Sequence, residues 1–464
     1  MKKLLYILLV IVLMAGLMSL SACDDNDNDS EDRDIETVAQ AEYDTAMGAF
    51  SDARDFDTIS SYLKKWAKSN KIEVEEDASS YLVLSLPATE GYEKAQSAVL
   101  QMPTGSGSSS VGCQVLSVLL TAAKTSRAHG DVKIIFTDNS EGDFSGAKKL
   151  DRKYLDTDNF INFMYENVPT VYNQGGASSY NRVTKNSYVS DSEHDKAFRV
   201  SISGLSGGYA GSTMAAETPN PLEVISGFLA AAKSDGYVFD LASFRGGVSA
   251  ATIPKEASAV IVIPSSGVES LKKRFETSHK RFLKNYEETE PTAEYTLTQV
   301  NKPSGVFSDS AKDDIINLMY MLDTGSTQDK EGNTISLFNI GSVTTKNGNF
   351  EAEIALEDTA KENLADMQLS LETSCGLCHM KCDTRSNNEP WITYEESYLV
   401  SKLSDLCSTE PKSTIVQNEN TIFKKRNKKL ALVSFGVNIS SAKRSVKVID
   451  DFLASLISAD DEEE

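Results

Sequence analysis

The stretch that decides the fold is Ser203-Gly-Leu-Ser-Gly-Gly-Tyr-Ala-Gly211, which lies between an apolar segment and a helical one. A second glycine pair, Gly246-Gly247, leads into the apolar run at residues 257–264. Closely spaced glycines permit turns and close backbone approach that other residues resist. The Val-Ile-Val-Ile run indicates a buried strand. Residues 200–257 are therefore predicted to form a glycine-rich α/β module.

The composition excludes some classes of partner. The chain has 464 residues, of which 40% are hydrophobic, and it carries a net charge of −22. This length is enough for about two domains with a large core. A strongly acidic chain lacks the basic surface that nucleic acid requires, so we expect no nucleic-acid partner. Residues 23–36 and 460–464 are especially rich in acidic residues, and both segments are predicted to be solvated tails.

The N-terminal residues predict export. Lys2-Lys3 precede an apolar run at residues 4–17, which is typical of a signal peptide over residues 1–22. The sequence Leu20-Ser-Ala-Cys23 resembles a bacterial lipobox, and this resemblance implies that Cys23 carries lipid such as palmitate. Residues 23–36 would then be a lipidated acidic tether to a bacterial membrane, on the cell envelope. An uncleaved membrane anchor is the alternative.

The order of strands and helices predicts two domains. Strands and helices alternate between residues 71 and 164, which indicates an α/β domain with a largely internal sheet. A second unit follows, with a helix at 267–286 and a strand pair at 339–356 that turns at Asn347-Gly348. We predict an α/β domain with a mixed sheet and flanking helices at residues 37–195 and 357–459. An α+β lid is inserted at residues 196–356, and residues 460–464 form an acidic tail.

The glycine-rich module resembles the lid of the aminoacyl-histidine dipeptidases, cytosolic non-specific dipeptidases that use two zinc ions. That family carries Gly-Leu-Lys-Gly-Gly-His-Ser-Gly and later Gly-Gly-x-x-Arg-Asn-Ala-Ile-Pro-Arg-Glu-Ala. Residues 66–101 are similar to the opening segment of the same family. The resemblance covers residues 37–457 and implies the zinc-peptidase fold, and lids of this kind often mediate homodimers.

The same resemblance implies that most of the metal site is lost. A two-zinc peptidase needs histidine and carboxylate ligands and a carboxylate base that activates water. Other residues stand where the family has ligands, catalytic groups or substrate-binding groups, at Pro103, Gly105, Ser108, Ser140, Met164, Tyr209 and Ala251. Tyr209 replaces the lid histidine, and Ser140 replaces the base. Glu141 alone matches a ligand position, and no histidine follows His379.

These residues predict an exported protein that has lost catalysis and uses no cofactor. It would bind a peptide or small ligand, or act as an interaction module of the envelope. The alternative is an active zinc-dependent dipeptidase or amidohydrolase with a rebuilt site. Such a site would need Asp138, Glu141 and Glu166 to converge with a histidine.

Four late cysteines form a separate motif, at Cys375, Cys378, Cys382 and Cys407. The string Cys375-Gly-Leu-Cys-His379 matches the attachment motif for c-type haem. A zinc or other thiolate site is a second interpretation. Disulfides are the third, and they are favoured in exported chains.

Overall fold

The computed structural model describes residues 27–50, 55–105, 109–140, 144–213, 218–322, 324–330 and 332–457. The predicted signal peptide, Cys23, Ser108, Glu141 and the tail at 460–464 lie outside these residues. Within these ranges, no helix combines the length and the apolar character that a membrane span requires.

Strands are numbered along the chain: β1 (Glu73–Ala78), β2 (Tyr81–Leu86), β3 (Ala98–Thr104), β4 (Val132–Asp138), β5 (Phe160–Tyr165), β6 (Thr170–Gly175), β7 (Ala177–Asn186), β8 (Val189–Ser190), β9 (Lys196–Ser203), β10 (Gly208–Tyr209), β11 (Asp240–Gly247), β12 (Thr252–Ile253), β13 (Ala257–Ile263), β14 (Glu294–Val300), β15 (Val306–Phe307), β16 (Gly325–Gln328), β17 (Thr334–Lys346), β18 (Asn349–Asp358), β19 (Lys381–Asn388), β20 (Trp391–Ile392), β21 (Lys412–Thr414) and β22 (Leu432–Val437). The α-helices are α1 (Asp27–Phe50), α2 (Phe56–Ser69), α3 (Ser109–Thr125), α4 (Ser145–Lys149), α5 (Ala210–Thr213), α6 (Pro221–Ser234), α7 (Val268–Tyr286), α8 (Asp309–Met321), α9 (Lys361–Leu377), α10 (Tyr398–Cys407), α11 (Asn420–Arg426) and α12 (Ala442–Ala454).

The first domain is built on a mixed sheet. Its strand order is β1-β2-β4-β3-β5-β22-β6-β20, and β21 also pairs with β6. The four central strands β4, β3, β5 and β22 are parallel to one another. β22 comes last in the chain yet lies between β5 and β6. The mixed sheet predicted for this domain is confirmed.

Helices cover both faces of this sheet. In β2, Leu82 and Leu84 pack against the cluster that includes α1, α2, α3, α10 and α12. Tyr81 and Val83 belong to a smaller cluster on the other face, where α4 and α11 lie. This alternation follows from strand geometry, since successive side chains point to opposite faces.

Side-chain hydrogen bonds fix the first two helices. Helix α2 begins at Phe56 because the Asp55 carboxylate accepts a hydrogen bond of 2.8 Å from the backbone N–H of Thr58. Trp66 of α2 donates a 2.8 Å hydrogen bond from its indole nitrogen to the buried carboxylate of Glu42 in α1. This hydrogen bond joins the two helices.

The second domain is a two-layer α+β unit, as predicted for the lid. Its antiparallel sheet has the order β14-β9-β13-β11-β17-β18-β7-β19, and β16 pairs with β17. The helices α6, α7, α8 and α9 all contribute to one hydrophobic cluster against this sheet. The hairpin of β17 and β18 turns at Asn347 and Gly348, which have φ angles of 52° and 77°. These positive values suit a tight hairpin turn.

The bounds of the second domain differ from those predicted. Its sheet begins at Ala177 and takes in β19, which pairs with β7, so it spans residues 177–388 instead of 196–356. Leu364 and Leu371 of α9 also pack into its core. β19 has the sequence Lys-Cys-Asp-Thr-Arg-Ser-Asn-Asn, and such a polar edge strand gives no apolar pattern to detect.

Candidate functional site

The carboxyl ends of the central parallel strands form one edge of the first sheet. This edge is where open α/β sheets usually bind ligands. Pro103 lies beside Thr137 in the register of β3 and β4, and Met164 of β5 lies beside Gly436 of β22. The fold thus brings Pro103, Gly105, Ser140 and Met164, which were predicted to replace family site residues, to the same edge.

The carboxylates at this edge are engaged by neighbours. Asp138 Oδ1 accepts hydrogen bonds from the backbone N–H and the hydroxyl of Ser140, at 3.0 and 2.5 Å. Glu166 accepts a 2.7 Å hydrogen bond from the hydroxyl of Tyr172. These contacts hold each carboxylate within its own local turn, and the structure shows no histidine joining them.

All four histidines of the chain are described, and none lies at this edge. His129 is buried before the start of β4, at the opposite end of the strand, where its Nδ1 lies 2.8 Å from the carbonyl oxygen of Gly130. His194 follows β8, and His279 lies on α7. His379 follows α9 and lies 3.4 Å from Asp314 of α8. All of the last three belong to the second domain.

A two-zinc centre does not fit the donor set. Wherever the structure defines positions, no three His, Cys, Asp or Glu side chains are grouped so that they could hold a metal ion. Zinc in proteins is held mainly by histidine and cysteine together with carboxylates. The proline, glycine, serine and methionine residues at the edge supply no such set of ligands.

Tyr209 and Ala251 lie together in the second domain. The short ribbon of β10 and β12 places Tyr209 opposite Thr252, and the N–H of Ala210 donates a 2.9 Å hydrogen bond to the carbonyl of Ala251. Gly211 allows this arrangement, because a Cβ there would lie 2.5 Å from the Tyr209 ring. The glycine-rich motif thus shapes a seat for this tyrosine.

The Tyr209 hydroxyl is bound to a buried carboxylate. Tyr209 and Tyr180 each donate a 2.9 Å hydrogen bond to Glu357 of β18, one to each carboxylate oxygen. Burial raises the pKa of Glu357 to about 7, although both tyrosine hydrogen bonds lower it. Tyr209 is therefore held by a residue of its own domain.

Tyr209 also joins the two domains. The backbone of Gln417, which lies between β21 and α11 of the first domain, is close enough to Tyr209 to lower the pKa of its hydroxyl, although burial raises that pKa more. Beside this contact, Ile415 of the first domain packs against Ala210, Ile253 and Leu337 of the second. Tyr209 and its neighbours therefore fasten the lid to the segment that leads into α11.

Two residues beyond Gln417, a buried polar network crosses the first sheet. Glu419 is fully buried and accepts hydrogen bonds from Thr137 at 2.5 Å and Gln101 at 2.6 Å, both on the same oxygen. Gln101 lies beside Asn162 in the strand register, and Asn162 lies beside Ser434. Asn162 donates to Gln101 and accepts from Ser434, so the network spans β4, β3, β5 and β22.

Burial dominates the chemistry of Glu419. It raises the pKa of Glu419 to about 8, although the hydrogen bonds from Thr137 and Gln101 lower it. The second carboxylate oxygen, Oε1, has no hydrogen-bond partner. A carboxyl that is protonated at neutral pH avoids the cost of an unpaired buried charge. The sequence analysis missed this network, although polar residues within the apolar strands β3, β5 and β22 are a detectable signal.

Comparisons with known proteins show which proteins this chain resembles. No protein-family model matches the chain. The cytosol non-specific dipeptidase of Escherichia coli (strain K12) is 24% identical over 431 residues, which are 82% of this chain and 87% of that protein. The chain is therefore similar in sequence to a dipeptidase. The fold agrees, since aminoacylhistidine dipeptidase from Vibrio alginolyticus matches with a TM-score of 0.66 at 17% identity, over 91% of this chain and 98% of that one.

The late cysteines do not form one cluster. Cys375, Cys378 and Cys382 belong to the core of the second domain, whereas Cys407 ends α10 in the core of the first. All four are free thiols, as is Cys113 of α3. The predicted four-cysteine group is therefore corrected, because α10 packs on the other sheet. The Cys-x-x-Cys-His string forms the end of α9, and both its cysteines are buried among apolar side chains.

Proposed function

We propose that this protein is a dipeptidase-like binding protein that does not hydrolyse peptides. One observation carries the proposal: none of the four histidines lies at the carboxyl edge of the parallel strands, where the homologous fold would need them. A metal-dependent hydrolase requires ligands and a base around the activated water. Serine, methionine, proline and glycine at the edge cannot fill these roles.

The ligand would bind between the domains, in the region bordered by the strand edge and the Tyr209 ribbon. Ser140 and Asp138 present a hydroxyl and a carboxylate from the first domain. The ribbon of β10 and β12 presents backbone groups from the second. Both relatives are named as dipeptidases, which supports a peptide or a small peptide-like molecule as the ligand.

Metal content and hydrolysis test the loss of catalysis. We expect the chain, purified without chelator and supplied with zinc, to retain much less than one zinc ion per chain after dialysis and to show no dipeptide hydrolysis. The Escherichia coli dipeptidase, purified and assayed in parallel, is the positive control. Mass spectrometry of the metal and release of free amino acids give the two readouts. Two zinc ions per chain together with turnover would contradict the proposal.

We propose in addition that the protein is a lipoprotein of the bacterial envelope, tethered through Cys23. The support is the sequence of residues 1–36 alone: a charged start, an apolar run, Leu-Ser-Ala-Cys and an acidic linker.

Replacement of Cys23 tests the anchor. In a bacterial host fed labelled palmitate, we expect the wild-type chain to take up label and to sediment with membranes. The Cys23→Ala chain should take up none, because it lacks the sulfur and the N-terminus that would carry the lipid. Cys382→Ala is the matched control and should be labelled like the wild type. Equal labelling of the Cys23→Ala chain would refute the anchor.

A further inference from the structure

The end of α9 reverses the chain onto β19. Cys378 caps the helix, and His379 follows in the left-handed region with a φ angle of 51°. The N–H of Met380 donates to the carbonyl of Cys375 at 2.8 Å, and the N–H of His379 donates to that of Gly376 at 3.1 Å. This pair of hydrogen bonds is the Schellman pattern, which ends a helix with a sharp turn. β19 therefore starts three residues after the helix ends.

This turn brings two thiols together. Cys375 on the last turn of α9 is 1% exposed, and Cys382 on β19 is partly buried against the same cluster. Both side chains face the same core, and each thiol shifts the pKa of the other, so the two sulfurs are neighbours. The other late cysteines have different surroundings, since Cys378 lies near the charges of Asp314 and Lys185. Cys407 is in the other domain.

We propose that Cys375 and Cys382 are an oxidisable dithiol, which a small-molecule disulfide converts into an intramolecular disulfide that ties α9 to the edge strand β19. The bond would link a core helix to the outermost strand of the second sheet. That strand is otherwise held on one side only, by its pairing with β7.

Cys382 is the attacking thiol. It is the more exposed of the two, and the neighbouring Cys375 thiol lowers its pKa, which favours the nucleophilic thiolate. The Cys382 thiolate attacks one sulfur of the oxidant, forms a mixed disulfide and releases one thiolate. Cys375 then loses its proton to solvent and attacks the Cys382 sulfur. The second thiolate leaves, so two protein thiols are oxidised while one disulfide is reduced to two thiols.

Peptide mapping tests the pairing. The reduced full-length chain is incubated with oxidised glutathione at pH 8, blocked with iodoacetamide and digested with trypsin. Cleavage after Lys361, Lys381 and Arg385 puts Cys375 and Cys378 in one peptide and Cys382 in the next. We expect these two peptides to be joined, with one alkylated cysteine in the longer one. The oxidised chain should also melt about 2–5 °C above the reduced chain.

Two variants identify the partner. Cys378→Ala is the matched control from the same turn, and it should keep both the cross-link and the shift in melting temperature. Cys382→Ser, checked for native circular dichroism, should lose both. Loss of the link in Cys378→Ala would overturn the proposal. So would full alkylation of Cys375 and Cys382 after oxidation, or a stable glutathione adduct on Cys382 without a link.

Discussion

Replacing Glu419 with glutamine should abolish much of the loss of stability that the first domain undergoes between pH 5 and pH 8. The pKa of Glu419 is about 8 in the folded chain and near its ordinary value of 4.5 when unfolded. Between these values the folded state binds more protons than the unfolded state, so the free energy of unfolding falls as pH rises. The loss attributable to Glu419 is roughly 2–5 kcal/mol, complete near pH 8. Glutamine does not ionise, so it has no such loss.

The measurement can be confined to the first domain. Both tryptophans of the chain, Trp66 and Trp391, are buried there, so the tryptophan fluorescence of urea unfolding reports on that domain. Midpoints for the wild-type and Glu419→Gln chains should lie closest at pH 5 and diverge in favour of the variant up to pH 8. Glu276→Gln, on the exposed face of α7, is the control and should follow the wild type. Parallel wild-type and Glu419→Gln curves would show that Glu419 is ionised in the folded chain.

Replacing Gly247 with alanine should destabilise the second domain by about 3 kcal/mol or more. Gly247 has a φ angle of 72°, and a Cβ there would lie 2.0 Å from the carbonyl oxygen of Gly341 in β17. The positive φ angle and the contact with the Gly341 carbonyl oxygen both belong to the backbone, so no side-chain rotation can relieve them. β11 and β17 would have to separate where they pair, at the centre of the second sheet.

A second glycine provides the control. Gly227 lies within α6, where a Cβ would meet no atom within 4 Å. Alanine there should stabilise the domain by about 0.5–1 kcal/mol, since glycine costs that much in a helix interior. Hydrogen exchange of β11 and β17 should be faster in Gly247→Ala and unchanged or slower in Gly227→Ala. If β11 and β17 exchanged hydrogen in Gly247→Ala at the wild-type rate, the two paired strands would have to tolerate a side chain at position 247.

The sequence predicted elements wherever apolar residues follow a clear period. The buried strand β13, the amphipathic helix α7 and the hairpin at Asn347-Gly348 all have local patterns, and the structure contains them. The sequence did not predict β7 and β19 as strands of the lid, because their residues are largely small or polar. Their place in the second sheet depends on pairing with β18 and with each other, and a single strand's sequence does not encode that pairing.

The candidate site, too, could be predicted from the sequence only in part. The resemblance identified Pro103, Met164 and Tyr209 as replaced positions, and the topology shows where each of them lies. It did not identify Glu419, because this residue is more than 300 positions away from Gln101, its hydrogen-bond partner. The contact forms only when α11 folds back over the sheet, so it follows from tertiary structure and not from local sequence.

The position of β22 constrains the order in which the chain can acquire its structure. This strand is inserted between β5 and β6, yet it is followed by only one further helix, α12. Until residues 432–437 have left the ribosome, β5 and β6 have no strand between them. The buried polar network that includes Ser434 is also incomplete until then. The second domain is complete by residue 388 and can fold earlier. The nascent first domain therefore stays incomplete through most of its synthesis.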